Sequence, residues 1–119
     1  MTVEEIVGRY YDAWKSKAGD MSEVPLAEDL VFRGPVASFD DAEGFRAMAR
    51  EAGGMVTKFD IRHQFLDGNR VCSIVDFEAT LCDSPVTSAE VLEVADGKIV
   101  RGEVIYDAEK IRAAMAQVG

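Results

Sequence analysis

Histidine occurs once in the 119 residues and cysteine twice, so the chain offers no cluster of soft or imidazole ligands for a metal. The carboxylates, although numerous, lack the loop spacing that calcium requires. No metal or other cofactor is implied. Cys72 and Cys82 are too few for a disulfide framework, and on one strand they would stand about 33 Å apart, beyond the reach of a bridge. Basic residues are scarce, 13 against 22 acidic ones, and the formal net charge of -9 repels a phosphate backbone. Nucleic acid is therefore excluded as a partner. No apolar run approaches the roughly 18 residues of a membrane span, and the first residues show no charged-then-apolar leader, so no membrane role is expected and a reducing, cytoplasmic setting is. Repeats, low-complexity tracts and Pro/Gly/Ser-rich linkers are also missing, which leaves residues 1–119 as a single domain.

What is present is strong patterning. Val3, Ile6, Val7, Tyr10, Ala13 and Trp14 recur at helical spacing and predict a first helix from Thr2 to about Lys17. Ser22 is positioned to cap a short second helix over Glu23–Leu30, followed by a strand at Val31–Arg33 that ends at Gly34-Pro35. Asp40 or Asp41 caps a third helix with the stripe Phe45, Met48, Ala49 and Ala52, stopped by Gly53-Gly54.

Alternation then replaces helical spacing. Phe59, Ile61 and Phe65 alternate with Lys58, Asp60, Arg62 and Gln64, placing His63 on the apolar face. With a three-residue Asp67-Gly68-Asn69 loop, Val71, Ser73, Val75, Phe77, Ala79 and Leu81 form the facing row, and His63 stands opposite Ser73. A four-residue turn after Cys82 brings Ser88, Glu90, Leu92 and Val94 beside that row. The Asp96-Gly97 turn leads into Lys98–Tyr106, and Asp107 caps a last helix from Ala108 to about Val118 that carries Ile111 and Met115. The expected order is α-α-β-α-β-β-β-β-α, an α+β fold with a curved antiparallel sheet wrapped as a cone around helices.

Glu90 is the sharpest feature of this pattern, because strict alternation points an acid into the cone. There its pKa would rise toward neutrality, and it could give or take a proton. His63 on the same inner surface would complete an acid/base pair. If the cone holds an open cavity, Trp14, Phe32, Phe45, Met48, Phe59, Ile61, Phe77, Leu92, Gly102, Val104 and Tyr106 are the residues expected to line it, and a small apolar or aromatic molecule is the ligand they suit. The alternative is a cone packed with its own side chains, serving as a non-catalytic binding or dimerisation module.

Three stretches also resemble one superfamily: Glu4–Trp14 leading to Gly19-Asp20, Ala27–Pro35 before the Phe45 helix, and Glu93–Ile99 leading to Tyr106-Asp107. Together they are similar to the SnoaL-like and ketosteroid isomerase-like members of the nuclear transport factor-like (cystatin-like) superfamily. The resemblance implies a cone with a deep apolar pocket, and often a homodimer formed through the outer sheet face. In ketosteroid isomerases a carboxylate just before the proline is the general base; the matching position here is Gly34, so that base is absent. Their oxyanion pair, a tyrosine on the first helix and a protonated acid on a late strand, corresponds to Tyr10 and Glu90. The Asp-Arg-Asp set of limonene epoxide hydrolase-like sites corresponds to Asp76, Ile74 and Val104, of which only the first is retained.

The resemblance turns Val100, Gly102, Val104 and Tyr106 inward, whereas a simple two-residue hairpin would turn Ile99, Arg101, Glu103 and Ile105 inward. Burying Arg101 and Glu103 would cost more, so the first arrangement is expected, with Gly102 leaving space beside Glu90. Cys72 and Cys82 are expected to face outward with Ile74, and Cys72 and Ile74 with Val91 and Ile105 on the neighbouring strands make a partly apolar outer face that a second copy of the chain could cover.

Overall fold

A computed structural model describes residues 1–118. Helix α1 (Val3–Ser16) begins at a capping box: the Glu5 N–H donates to Thr2 Oγ1 at 3.1 Å, while the Thr2 N–H donates to the Glu5 carboxylate at 3.0 Å. Its buried stripe is Ile6, Val7, Tyr10, Tyr11 and Ala13. The chain leaves the helix through Ala18 and Gly19, both at positive φ.

The second expected helix does not form. The Ser22 N–H donates to Asp20 Oδ1 at 2.9 Å in a local turn, and strand β1 runs from Leu26 to Arg33. Ala27, Glu28 and Leu30 are good helix formers, but β1 lies inside the sheet, parallel to β6 (Lys98–Ile105), and the backbone partners it gains there override the local propensity. An irregularity between Leu26 and Val31 leaves Glu28 and Asp29 exposed. A two-residue strand, β2 (Ser38–Phe39), pairs with the end of β1.

Helix α2 (Ala42–Gly53) is capped by Asp41, whose carboxylate accepts from the Gly44 N–H at 2.7 Å. Phe45 and Ala49 are its most deeply buried residues. The ends of α1 and α2 touch through glycines: a Cβ on Gly19 would lie 2.0 Å from the Ala49 carbonyl oxygen, and one on Gly53 would lie 2.2 Å from that of Ala18.

Strands β3 (Val56–Asp67), β4 (Arg70–Ala79), β5 (Val86–Ala95) and β6 form an antiparallel meander, and the whole sheet has the order β2-β1-β6-β5-β4-β3. The α+β class and the curved sheet around helices are as the sequence predicts, with one helix replaced by strand. Helix α3 (Glu109–Val118) follows Asp107, whose carboxylate accepts from the Glu109 N–H. Among the described residues no helix is long and apolar enough to cross a membrane.

Two bulges decide which side chains face the cone. The β3–β4 turn is two residues long, since Asp67 pairs with Arg70, and in that register Gln64 stands opposite Ser73 and His63 opposite Ile74. A shift between Ile61 and His63 then restores the expected partners Ile61 with Val75 and Phe59 with Phe77. In the second case, Ala95 pairs with Lys98 across a tight turn whose residues Asp96 and Gly97 both have positive φ. A shift next to Val94 then lets Ile99, Gly102 and Val104 all turn inward. The two alternatives for this strand are thus both realised, each on one side of the bulge.

Candidate functional site

Glu90 lies in the middle of β5, between Ser73 of β4 and Val104 of β6, and is only 6% exposed. Its neighbours along the strand on the same face, Ser88 and Leu92, are buried too, as alternation requires. Helix α1 covers it. The Tyr10 hydroxyl donates to Glu90 Oε2 at 2.7 Å, a short bond of the charge-assisted kind. Tyr10 is itself fixed by its ring, stacked with Phe45 at 6.2 Å between centroids and set edge-on to Tyr11 at 5.1 Å.

Burial pushes the Glu90 carboxyl from its ordinary 4.5 up to about 7, against the opposing pull of the Tyr10 and Tyr11 hydroxyls. The same burial, reinforced by the charge of Glu90, holds both tyrosines well above their usual range, so both hydroxyls stay neutral. The Tyr11 hydroxyl is buried and has no hydrogen-bond partner among the described residues. Beside it Gln64, turned inward by the bulge, donates to Ser73 Oγ at 3.1 Å.

Between helices and sheet the cone is open, with a cavity of about 580 Å³. Glu90 and Tyr10 reach it, and so do the expected Trp14, Phe32, Met48, Phe59, Phe77, Val104 and Tyr106. The remaining four expected residues lie elsewhere. Phe45 and Leu92 are wholly inside the core, and half-buried Ile61 packs against that core without reaching the cavity. Gly102 leaves no free space: a Cβ there would stand 2.5 Å from Cδ2 of Phe32, so the ring already fills the gap.

His63 is the main correction. The bulge at Ile61–His63 turns it to the outer face, where it is exposed and stacks on Phe65 at 6.3 Å. It cannot pair with Glu90 across the sheet. Asp76 is on the outer face as well, clamped by Arg62 through bonds of 2.9 and 2.6 Å and accepting from the Thr87 hydroxyl at 2.6 Å, so no water-holding Asp-Arg-Asp set forms in the cavity.

Several lining residues escaped the sequence reading. Cys82, expected outside, lines the cavity because the chain leaves β4 at Ala79 and turns, with the Cys82 N–H donating to the Ala79 carbonyl. Gly34, Ala37, Phe39 and Glu51 contribute from the β1–β2 connection, β2 and α2. Ile111 and Met115 of α3 complete the wall; their position on that helix's apolar line was the available signal.

With this geometry in view, the chain is similar in structure to several proteins. An NTF2-like protein of unknown function from Cytophaga hutchinsonii superposes with a TM-score of 0.81 at 19% identity, covering 94% of this chain and 96% of that one. A de novo designed protein with a curved β-sheet gives 0.78 at 22% identity, covering 98% and 96%. An LEH-like epoxide hydrolase from M. tuberculosis gives 0.72 at 18% identity, covering 97% and 90%. These likenesses establish the fold and leave the chemistry to the site. Among curated proteins none matches in sequence. A family model for the SnoaL-like domain matches residues 7–102, and on that match the chain belongs to the SnoaL-like domain family.

Proposed function

We propose that the cavity binds a small hydrophobic molecule and that Glu90 exchanges a proton with it, in chemistry of the isomerase, cyclase or lyase type. The observation that carries this reading is one buried carboxyl, Glu90, that opens to a largely apolar cavity and has a pKa of about 7. Such a group is present in both protonation states at neutral pH, which suits a residue that takes a proton from one atom and returns it to another. The size and apolar lining of the cavity fit a small ligand rather than a cone packed with its own side chains.

Occupancy and proton exchange are separable. A neutral fluorescent probe, N-phenyl-1-naphthylamine, reports occupancy, and Ala79→Phe, which fills part of the cavity, should weaken its binding. Deuterium uptake from D2O into the acidic C–H positions of bound enone and polyketide-like compounds reports exchange. The expected result is uptake above the buffer rate with the wild-type chain and none above it with Glu90→Gln. Binding without uptake would favour a second reading, a non-catalytic binder, for which Gly34 at the general-base position speaks. For assembly, the outer sheet face with Cys72, Ile74, Val91 and the 63% exposed Ile105 is the surface on which a second copy would sit.

A further inference from the structure

The polar groups that line the cavity are unbalanced. Two are carboxyls, Glu90 at depth and the exposed Glu51, and no lysine, arginine or histidine is among the lining residues. Donors are few: the Tyr10 hydroxyl is committed to Glu90, which leaves the hydroxyls of Ser88 and Tyr106, the Trp14 indole N–H and the Cys82 thiol. The rest of the wall is apolar and rich in aromatic rings, with Trp14 and Phe59 stacked at 6.3 Å and Phe77 and Tyr106 edge to face at 6.2 Å.

Each class of ligand meets this wall differently. An anion would enter beside two carboxyls with no counter-charge, a strongly unfavourable arrangement in a partly desolvated site. A neutral ligand with carbonyl or ether oxygens would find a donor in the protonated form of Glu90, which is lost as pH rises past about 7, and few others. A cation would find a carboxylate, ring faces whose quadrupoles attract positive charge, and at the rim a second acid. It would also supply the counter-charge that buried Glu90 lacks. The net charge of -9 draws cations toward the protein as a whole.

We propose that the ligand is a lipophilic ammonium ion, its nitrogen paired with Glu90 and its apolar body against the aromatic wall. The inference rests on the cavity being a small-molecule site, as proposed above, and adds the charge of the molecule it takes. The titratable groups facing Glu90 are Tyr10 and Tyr11 of α1, both neutral and only Tyr10 hydrogen-bonded to it, and its neighbours on β4 and β6 are Ser73 and Val104, which do not compete for the cation.

The test is a matched trio, 2-(2-naphthyl)ethylamine, 2-(2-naphthyl)ethanol and 3-(2-naphthyl)propionate, each displacing N-phenyl-1-naphthylamine between pH 5.5 and 8.5. Trp14, the only tryptophan and part of the cavity wall, gives an independent fluorescence signal. The ammonium ion should bind tightest and the carboxylate weakest. Because only ionised Glu90 pairs with it, the ammonium ion should gain about 30-fold in affinity over this range, levelling off above pH 7, while the alcohol gains nothing. Glu90→Gln should remove both the gain and the preference over the alcohol.

If the alcohol or the carboxylate binds at least as well as the ammonium ion, or if ammonium affinity falls as pH rises, the charge assignment is wrong and the cavity reading stands. If neither the probe nor any member of the trio binds, the cavity reading itself fails.

Discussion

Replacing Glu90 by glutamine should stabilise the protein at alkaline pH and leave it nearly unchanged in acid. Glutamine reproduces the shape of the protonated acid and can still accept the Tyr10 hydrogen bond. Below pH 4.5 Glu90 is protonated in both the folded and the unfolded chain, and its burial involves no charge. Between pH 4.5 and about 7 the unfolded chain loses the proton while the folded chain keeps it, so stability falls across this window. Each pKa unit is worth about 1.4 kcal/mol, and the full interval amounts to about 3 kcal/mol. Glu5, Asp20, Glu23 and Asp76 are held below their ordinary values by their hydrogen bonds, so their contribution has the opposite sign: it is present at neutral pH and lost in acid. They occur in both proteins and cancel in the difference. Urea unfolding of wild type and Glu90→Gln at half-unit steps from pH 4 to 8.5 should give curves that coincide in acid and separate to about 3 kcal/mol at pH 8, the variant being the more stable. A difference that stays flat across this range would show that Glu90 is not a buried acid of raised pKa.

Two further outcomes test the surroundings of that carboxyl. Tyr10→Phe removes the 2.7 Å donor that favours the ionised form, so the Glu90 titration, followed by carbon-13 NMR of its carboxyl, should move above 7; a fall or no change would contradict the bond. Gly102→Ala drives a methyl group to 2.5 Å from the Phe32 ring inside a packed core and should cost about 1–3 kcal/mol, read as a lower Tm in calorimetry; an unchanged Tm would mean that the ring is not where it is placed.

Glu90 was legible because it sits in an unbroken alternation, Ser88, Glu90, Leu92, Val94, whose neighbours name the inner face. Trp14, Phe59 and Phe77 were legible for the same reason, as apolar members of a clear stripe or row. His63 was not, because one extra residue in a ladder reverses every side chain beyond it, and nothing in Ile61-Arg62-His63 marks where the insertion falls. The strand at Leu26–Arg33 was hidden by a different cause. Its local sequence tolerates either structure, and its parallel pairing with β6, a segment some seventy residues away, decides between them. Cys82 shows a third limit, since alternation carries information only as far as the strand itself extends.

The shift that displaces His63 also affects how copies of the protein can meet. β3 is an outermost strand of twelve residues, and a continuous row of free amides and carbonyls of that length would be a template for adding foreign strands. The irregularities after Val56 and after Ile61 cut the row into shorter runs, and Lys58, Asp60 and Arg62 place charges along it. The opposite margin of the sheet, β2, is only two residues long. Both margins thus resist the edge-to-edge growth that leads to fibrils.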